Sequence, residues 1–267
     1  MELFLLKDGN PEAVEPAHGT YITFDSHGSR LFGRLLLPDF FDRESRCPVV
    51  LMLHGHPGGD KNLDIGEALR ANGFGVAVMS YRGVWGSHGD YLLSHNIEDV
   101  VSAVNFLREN AAEYRLDPDK VFLFGHSMGG FSALNAMARG LQVSGAVLMA
   151  PYDAGYMYLY NRPNFNSVMA CKARGYFTLA SENALEEDAA ENAEKWNFRD
   201  LLPKLDKNIP YCFIDGAQDT TSTKMYPLAE QMQAAGFSAT CVRLEDGHMF
   251  PVHRATIARI AIEHFSK

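Results

Sequence analysis

Two hydrophobic rhythms alternate along this chain. Residues 49–53, 75–80, 121–124, 143–149 and 211–214 form short, nearly continuous apolar runs, the pattern of parallel strands covered on both faces. Helix-period segments lie between them. The clearest sets Ile97, Val100, Val101, Val104 and Leu107 on one stripe and Glu98, Asp99, Asn105 and Arg108 on the other. Asp117-Pro118-Asp119 then marks a turn into the next strand. Near the N-terminus, residues 20–24 and 31–37 read as an antiparallel hairpin closed by Ser26-His27-Gly28-Ser29. Residues 239–244 are strand-like, and a final helix over 252–265 places His253 and His264 on the surface. Such alternation predicts an α/β fold with a mostly parallel, doubly wound sheet and chemistry at the carboxyl ends of its strands.

One stretch breaks the rhythm. Just under 60 residues separate the run ending at Ala150 from the one beginning near Pro210, too many for a plain loop. Tyr152, Tyr156, Tyr158, Tyr160, Phe165, Tyr176, Phe177 and Trp196 fall here, together with an acidic run over 186–191 that reads as a solvated helix face. The expected organisation is a core of residues 1–151 and 210–267, with a small helical lid over 152–209. Neither an internal repeat nor a low-complexity tract is present.

The 267 residues, 46% of them hydrophobic, can bury a substantial core. A net charge of −9 argues against nucleic acid or an anionic membrane surface as partner, because either selects a basic patch. The apolar residues 1–6 lack a basic leader and meet Lys7-Asp8 too soon for a secretory signal. Cys47, Cys171, Cys212 and Cys241 follow neither metal-type nor disulfide-framework spacing, and read as reduced thiols of a cytoplasmic protein.

Gly125-His126-Ser127-Met128-Gly129-Gly130 follows one apolar run and opens a helix-like segment. This Gly-x-Ser-x-Gly pattern is a nucleophile elbow, informative only in such a strand–turn–helix setting. A serine hydroxyl needs a base, and the base needs an orienting acid. Downstream, His248 sits just after the strand-like 239–244, where a loop at the active edge is expected. For the acid, the loop after 211–214 offers Asp215 and Asp219; Asp219 is preferred, since Asp215 directly follows the apolar run and reads as a turn cap. Asp153 is a further alternative.

An oxyanion hole would use the backbone N–H of Met128 and that of His56, in the glycine-rich His54-Gly55-His56-Pro57-Gly58-Gly59. His54 and His56 lack a carboxylate or cysteine at ligand spacing, so no metal is expected. The loop from Tyr81 to Asp90 is glycine-rich, yet it lacks the lysine of a phosphate cradle and reads as support. Trp85, Tyr152 and Tyr156 are the candidate substrate contacts.

With these residues assembled, the chain resembles the α/β-hydrolase superfamily: the His54–Gly59 loop, the elbow, Asp219 and Asp246-Gly247-His248 arrive in family order. Within it, the chain is similar to bacterial single-domain carboxylesterases of the cinnamoyl and feruloyl type, and through Tyr81-Arg82-Gly83 to the catalytic domain of prolyl-oligopeptidase-type peptidases. The resemblance implies an α/β-hydrolase fold and two-step acyl transfer from a small-molecule ester, without cofactor. A peptidase would need a carboxylate for a substrate amine, for which Glu182, Glu186 or Glu187 is available. A catalytically inactive binding protein of the same fold is a remoter alternative, and a homodimer is compatible with the sequence.

Overall fold

The computed structural model describes residues 6–170 and 175–267; residues 1–5 and Cys171 lie outside the described residues. Eight strands form one sheet: β1 (His18–Ser26), β2 (Ser29–Leu37), β3 (Cys47–Leu53), β4 (Gly75–Met79), β5 (Leu116–His126), β6 (Gly145–Met149), β7 (Tyr211–Gly216) and β8 (Ala239–Leu244). Their spatial order is β1-β2-β4-β3-β5-β6-β7-β8. Strands β3 to β8 run parallel, while β1 and β2 are antiparallel additions at one edge. The hairpin turns through His27 and Gly28 at φ of 51° and 80°, the two positive values that a tight turn matching the strand twist requires.

The continuous apolar runs are explained by what covers them. Val49, Leu51 and Leu53 of β3 join one core, under α2 (Leu93–Glu109) and α3 (Met128–Ala138). Val50 and Met52 join the other, under α1 (Leu63–Ala71) and α9 (Arg254–Phe265). Helix α8 (Tyr226–Ala234) connects β7 to β8.

Several expectations change. Asp117-Pro118-Asp119 is not the turn but a bulge at the start of β5: Cys47 pairs with Leu116 and Val49 with Val121, so extra residues loop out on one strand. Proline is tolerated there because a bulge demands no ladder hydrogen bond from it. Asp99 is not on a solvated face but fully buried, its carboxylate held by Arg82 and Ser26. His264 is buried too, with its Nε2 3.2 Å from the Pro210 carbonyl, because α9 presents a wide inward stripe. His253 precedes that helix and bonds Asp246.

Between β6 and β7 the chain forms α4 (Ala154–Tyr160), α5 (Arg162–Met169), α6 (Ala184–Trp196) and α7 (Phe198–Leu201). Gly155 allows α4 to meet α6, since a Cβ there would stand 2.5 Å from the Ala193 carbonyl. The acidic run is only partly solvated, for Asp188 is buried and its Oδ2 accepts the Ser94 N–H at 3.0 Å, in the first turn of α2. No helix among the described residues is long and apolar enough to cross a membrane.

Candidate active site

Ser127 sits at the tip of the turn from β5 into α3, with φ 54° and ψ −116°. A left-handed φ on a residue with a Cβ persists only where the surroundings enforce it. Here they do. The Ser127 N–H donates to the Met149 carbonyl at 2.9 Å, and its own carbonyl accepts from Gly130, Phe131 and Tyr152. The glycines are dictated by close approach: a Cβ on Gly129 would lie 2.0 Å from the Leu53 carbonyl oxygen, on Gly125 2.7 Å from that of Gly129, and on Gly130 2.6 Å from Pro151 Cβ.

His248, on the loop after β8, reaches the serine with Nε2 2.9 Å from Ser127 Oγ. Its Nδ1 lies 2.9 Å from Asp219 Oδ2. A carboxylate can only accept, so Nδ1 carries the proton and Nε2 is left to accept from the hydroxyl. Burial raises the Asp219 carboxyl, but hydrogen bonds from His248, Ser222 and the Thr221 N–H outweigh it and hold the group at about 2. The loop carrying His248 is itself braced: Asp246 accepts from the N–H groups of Gly247, Val252 and His253. His126, inside the elbow, places Nε2 3.0 Å from the His248 carbonyl. Burial pushes its imidazole down to about 3, so it is neutral and can donate there.

The alternative acids are engaged elsewhere. Asp215 accepts from the Met225 and Tyr226 N–H groups at the start of α8. Asp153 caps α4 through Tyr156 N–H at 2.9 Å and also accepts from Phe198 N–H at 3.1 Å.

The loop after β3 lies against the nucleophile, since a Cβ on Gly55 would stand 3.1 Å from Ser127 Cβ. The Met128 N–H, first in α3, has no acceptor within its own helix. The His56 ring is fixed from two sides, by the Tyr91 hydroxyl 3.0 Å from its Nδ1 and by Phe177 stacked at 4.6 Å and 18°. Phe177 arrives from the insertion, where Thr178 pairs with the core by accepting the Tyr91 N–H and donating to the Gly83 carbonyl, both at 2.8 Å. Burial leaves both His54 and His56 neutral, each pushed down to about 3. Among the described residues, no cluster of three His, Cys, Asp or Glu side chains could hold a metal ion.

Of the three substrate-contact candidates, Trp85 is 46% exposed, stacks on Tyr176 at 5.8 Å and donates from its indole nitrogen to the Pro57 carbonyl. Tyr156 is half-buried and borders a cavity between α4, α7 and the start of α8. Tyr152 is fully buried, its hydroxyl 3.2 Å from Asn164 Oδ1. Sequence reasoning missed His126, Phe177 and Ser222. His126 had one available signal, its place inside the elbow; Phe177 was one of many aromatics in the insertion, and its partner His56 lies far away in the chain.

A mostly parallel sheet, a serine on a strained strand-to-helix turn, and a histidine on the loop after the last strand together define a serine hydrolase of the α/β-hydrolase class. The chain belongs to the Hydrolase_4 family, described as serine aminopeptidase, S33, which matches residues 44–195. It is similar to rat (Rattus norvegicus) liver carboxylesterase B-1, with 34% identity over 212 residues covering 71% of this chain and 37% of that protein. The chain thus spans well under half the length of that curated relative. Among solved structures it resembles Est1E from Butyrivibrio proteoclasticus, with TM-score 0.67 and 17% identity over 91% of this chain and 96% of that one. It also resembles the Pyrococcus horikoshii acylaminoacyl peptidase, with TM-score 0.72 and 14% identity over 95% and 42%. At these identities the structural likeness carries the fold.

Proposed function

We propose that this protein is a cytoplasmic carboxylesterase acting on small to medium acyl esters, aromatic ones included, through Ser127, His248 and Asp219. The observation that carries the reading is the unbroken chain of hydrogen bonds from Ser127 Oγ through His248 to Asp219, with both links at 2.9 Å. Ser127 Oγ attacks the ester carbonyl while His248 Nε2 takes its proton, and Asp219 stabilises the imidazolium without becoming protonated. The tetrahedral oxyanion is received by the Met128 and His56 N–H groups. His248 then returns the proton to the departing alcohol, and water attacks the acyl-enzyme by the same route in reverse. Residues 152–209 act as a lid whose aromatics, with Trp85, favour neutral acyl groups having an apolar body. The free thiols of Cys47, Cys212 and Cys241 support a reducing compartment.

The family's description as a serine aminopeptidase favours a second reading, cleavage of aminoacyl or peptide bonds. A peptidase of that kind needs a carboxylate for the substrate amine; of the three candidates, Glu186 is engaged by Arg162, Glu182 also has an interaction partner, and Glu187 lines a cleft between α2 and α6. Hydrolysis of short- and long-acyl nitrophenyl esters, methyl ferulate, and aminoacyl and prolyl anilides by wild type and Ser127→Ala separates the readings. Ester cleavage that vanishes in Ser127→Ala, with anilides untouched, supports the carboxylesterase; preferential anilide cleavage moves the assignment to a peptidase.

A further inference from the structure

An open cleft of about 370 Å³ lies where the β1–β2 hairpin meets the start of α1, bounded by Tyr21, Phe32, Arg34, Lys61, Leu63 and Trp85. Neither Ser127, His248 nor Asp219 lines it, and Trp85 stands as the boundary towards the catalytic loop through its bond to Pro57. Its volume is in the range of about 300–1,000 Å³ typical of small-molecule sites.

Two observations describe what would fit. First, Tyr21, Phe32, Leu63 and Trp85 are 86%, 37%, 42% and 46% exposed. A single exposed apolar side chain needs no explanation, but four converging on one cleft leave a patch that an apolar ligand would cover. Second, the charged groups of the lining are two cations and no carboxylate, in a chain of net charge −9. The Lys61 ammonium donates to neutral oxygens, the Met79 carbonyl at 3.2 Å and the Ser80 hydroxyl at 2.5 Å. Burial lowers it to about 8. An ammonium has three donors, and two are used.

We propose that this cleft is a second binding site, for an amphipathic carboxylate. An aryl or alkyl body would lie between Trp85 and the hairpin residues Phe32 and Tyr21, with its head group on Lys61. The product class of ester hydrolysis belongs to this chemistry, but the site itself needs no catalytic residue and stands apart from the reading of Ser127.

The probe is 4-phenylbutanoate, titrated into the full chain with tryptophan fluorescence as readout. Of the two tryptophans, Trp196 is fully buried, so Trp85 reports binding, and capping Ser127 separates this cleft from the catalytic pocket that Trp85 also borders. The titration is repeated on protein treated with an alkyl phosphonate, the occupancy of Ser127 being read separately by intact mass. Expected are saturable binding that survives phosphonylation, and about tenfold weaker binding of the neutral 4-phenylbutanol, the equivalent of about 1.4 kcal/mol. Lys61→Met and Tyr21→Glu should each weaken the acid to a similar degree. Lys61 also supports the end of β4; Tyr21, almost wholly solvated, can be changed without that cost. Absence of saturation, equal binding of acid and alcohol, an unaltered constant in Tyr21→Glu, or loss of binding once Ser127 is capped would each overturn the proposal.

Discussion

Three aspartates lie near the carboxyl ends of β6 and β7, and what distinguishes them is which donors surround each carboxylate. Asp215 and Asp153 are occupied by helix-terminal N–H groups, while Asp219 alone meets the imidazole. Asp219→Asn should lower kcat by about ten-thousand-fold on a nitrophenyl ester, since an amide no longer enforces the productive tautomer. Asp153→Asn should leave kcat within a few-fold and act on thermal stability; inactivation by Asp153→Asn with a silent Asp219→Asn would reverse the assignment. That Ser127 and His248 meet was legible in the sequence because an elbow has few realisations and chain order leaves few histidines. Asp99 was not, because a helical stripe cannot reveal that Arg82, 17 residues away, supplies its counter-charge. Likewise, nothing local in the sequence says that His126 donates to a carbonyl 122 residues downstream.

At the scale of elements, the insertion is tied to the catalytic loop by an aromatic stack. Phe177 lies 4.5 Å from Tyr91 and 4.6 Å from His56, so the loop carrying the proposed oxyanion donor is packed from one side by a segment of the insertion. Phe177→Ala should reduce kcat on short-acyl esters about tenfold with little change in KM, because the donor is misplaced only when it is needed, in the transition state. Phe177→Tyr, which keeps the stacked ring, should restore most of it. Unchanged kcat with a shifted preference for acyl length would instead make Phe177 a pocket wall. The strands were readable to within a few residues because buried parallel strands are apolar throughout. The bulge at Asp117-Pro118-Asp119 was not, since turn residues mark an irregularity without saying whether the chain reverses there.

For the molecule as a whole, the site is held by buried imidazoles. His54, His56 and His126 each sit at about 3 against an ordinary value of 6.5, with burial as the leading cause. A base depressed in the native state binds its proton only on unfolding, so its contribution to stability is complete above about 6.5 and is lost as pH falls towards 3. Asp153, raised by burial to about 6, acts in the opposite sense and offsets one of them between 6 and 4. Replacing His126 by Gln removes about one proton of uptake, or about 1.4 kcal/mol per pH unit near pH 5. Urea unfolding at a series of pH values should therefore show the stability gap between wild type and His126→Gln narrowing as pH falls from 6.5 to 4. A constant gap would show that the His126 imidazole is already protonated in the folded state.

The central claim is that Ser127 forms the acyl-enzyme with His248 as its base. Its most direct measurement is intact mass and peptide mapping after acid-quenching the protein during turnover of a slowly deacylating nitrophenyl ester. The account predicts a single acyl adduct, mapped to Ser127, absent from Ser127→Ala and accumulating orders of magnitude more slowly in His248→Ala. An adduct on another side chain, or turnover that persists in Ser127→Ala, would contradict it.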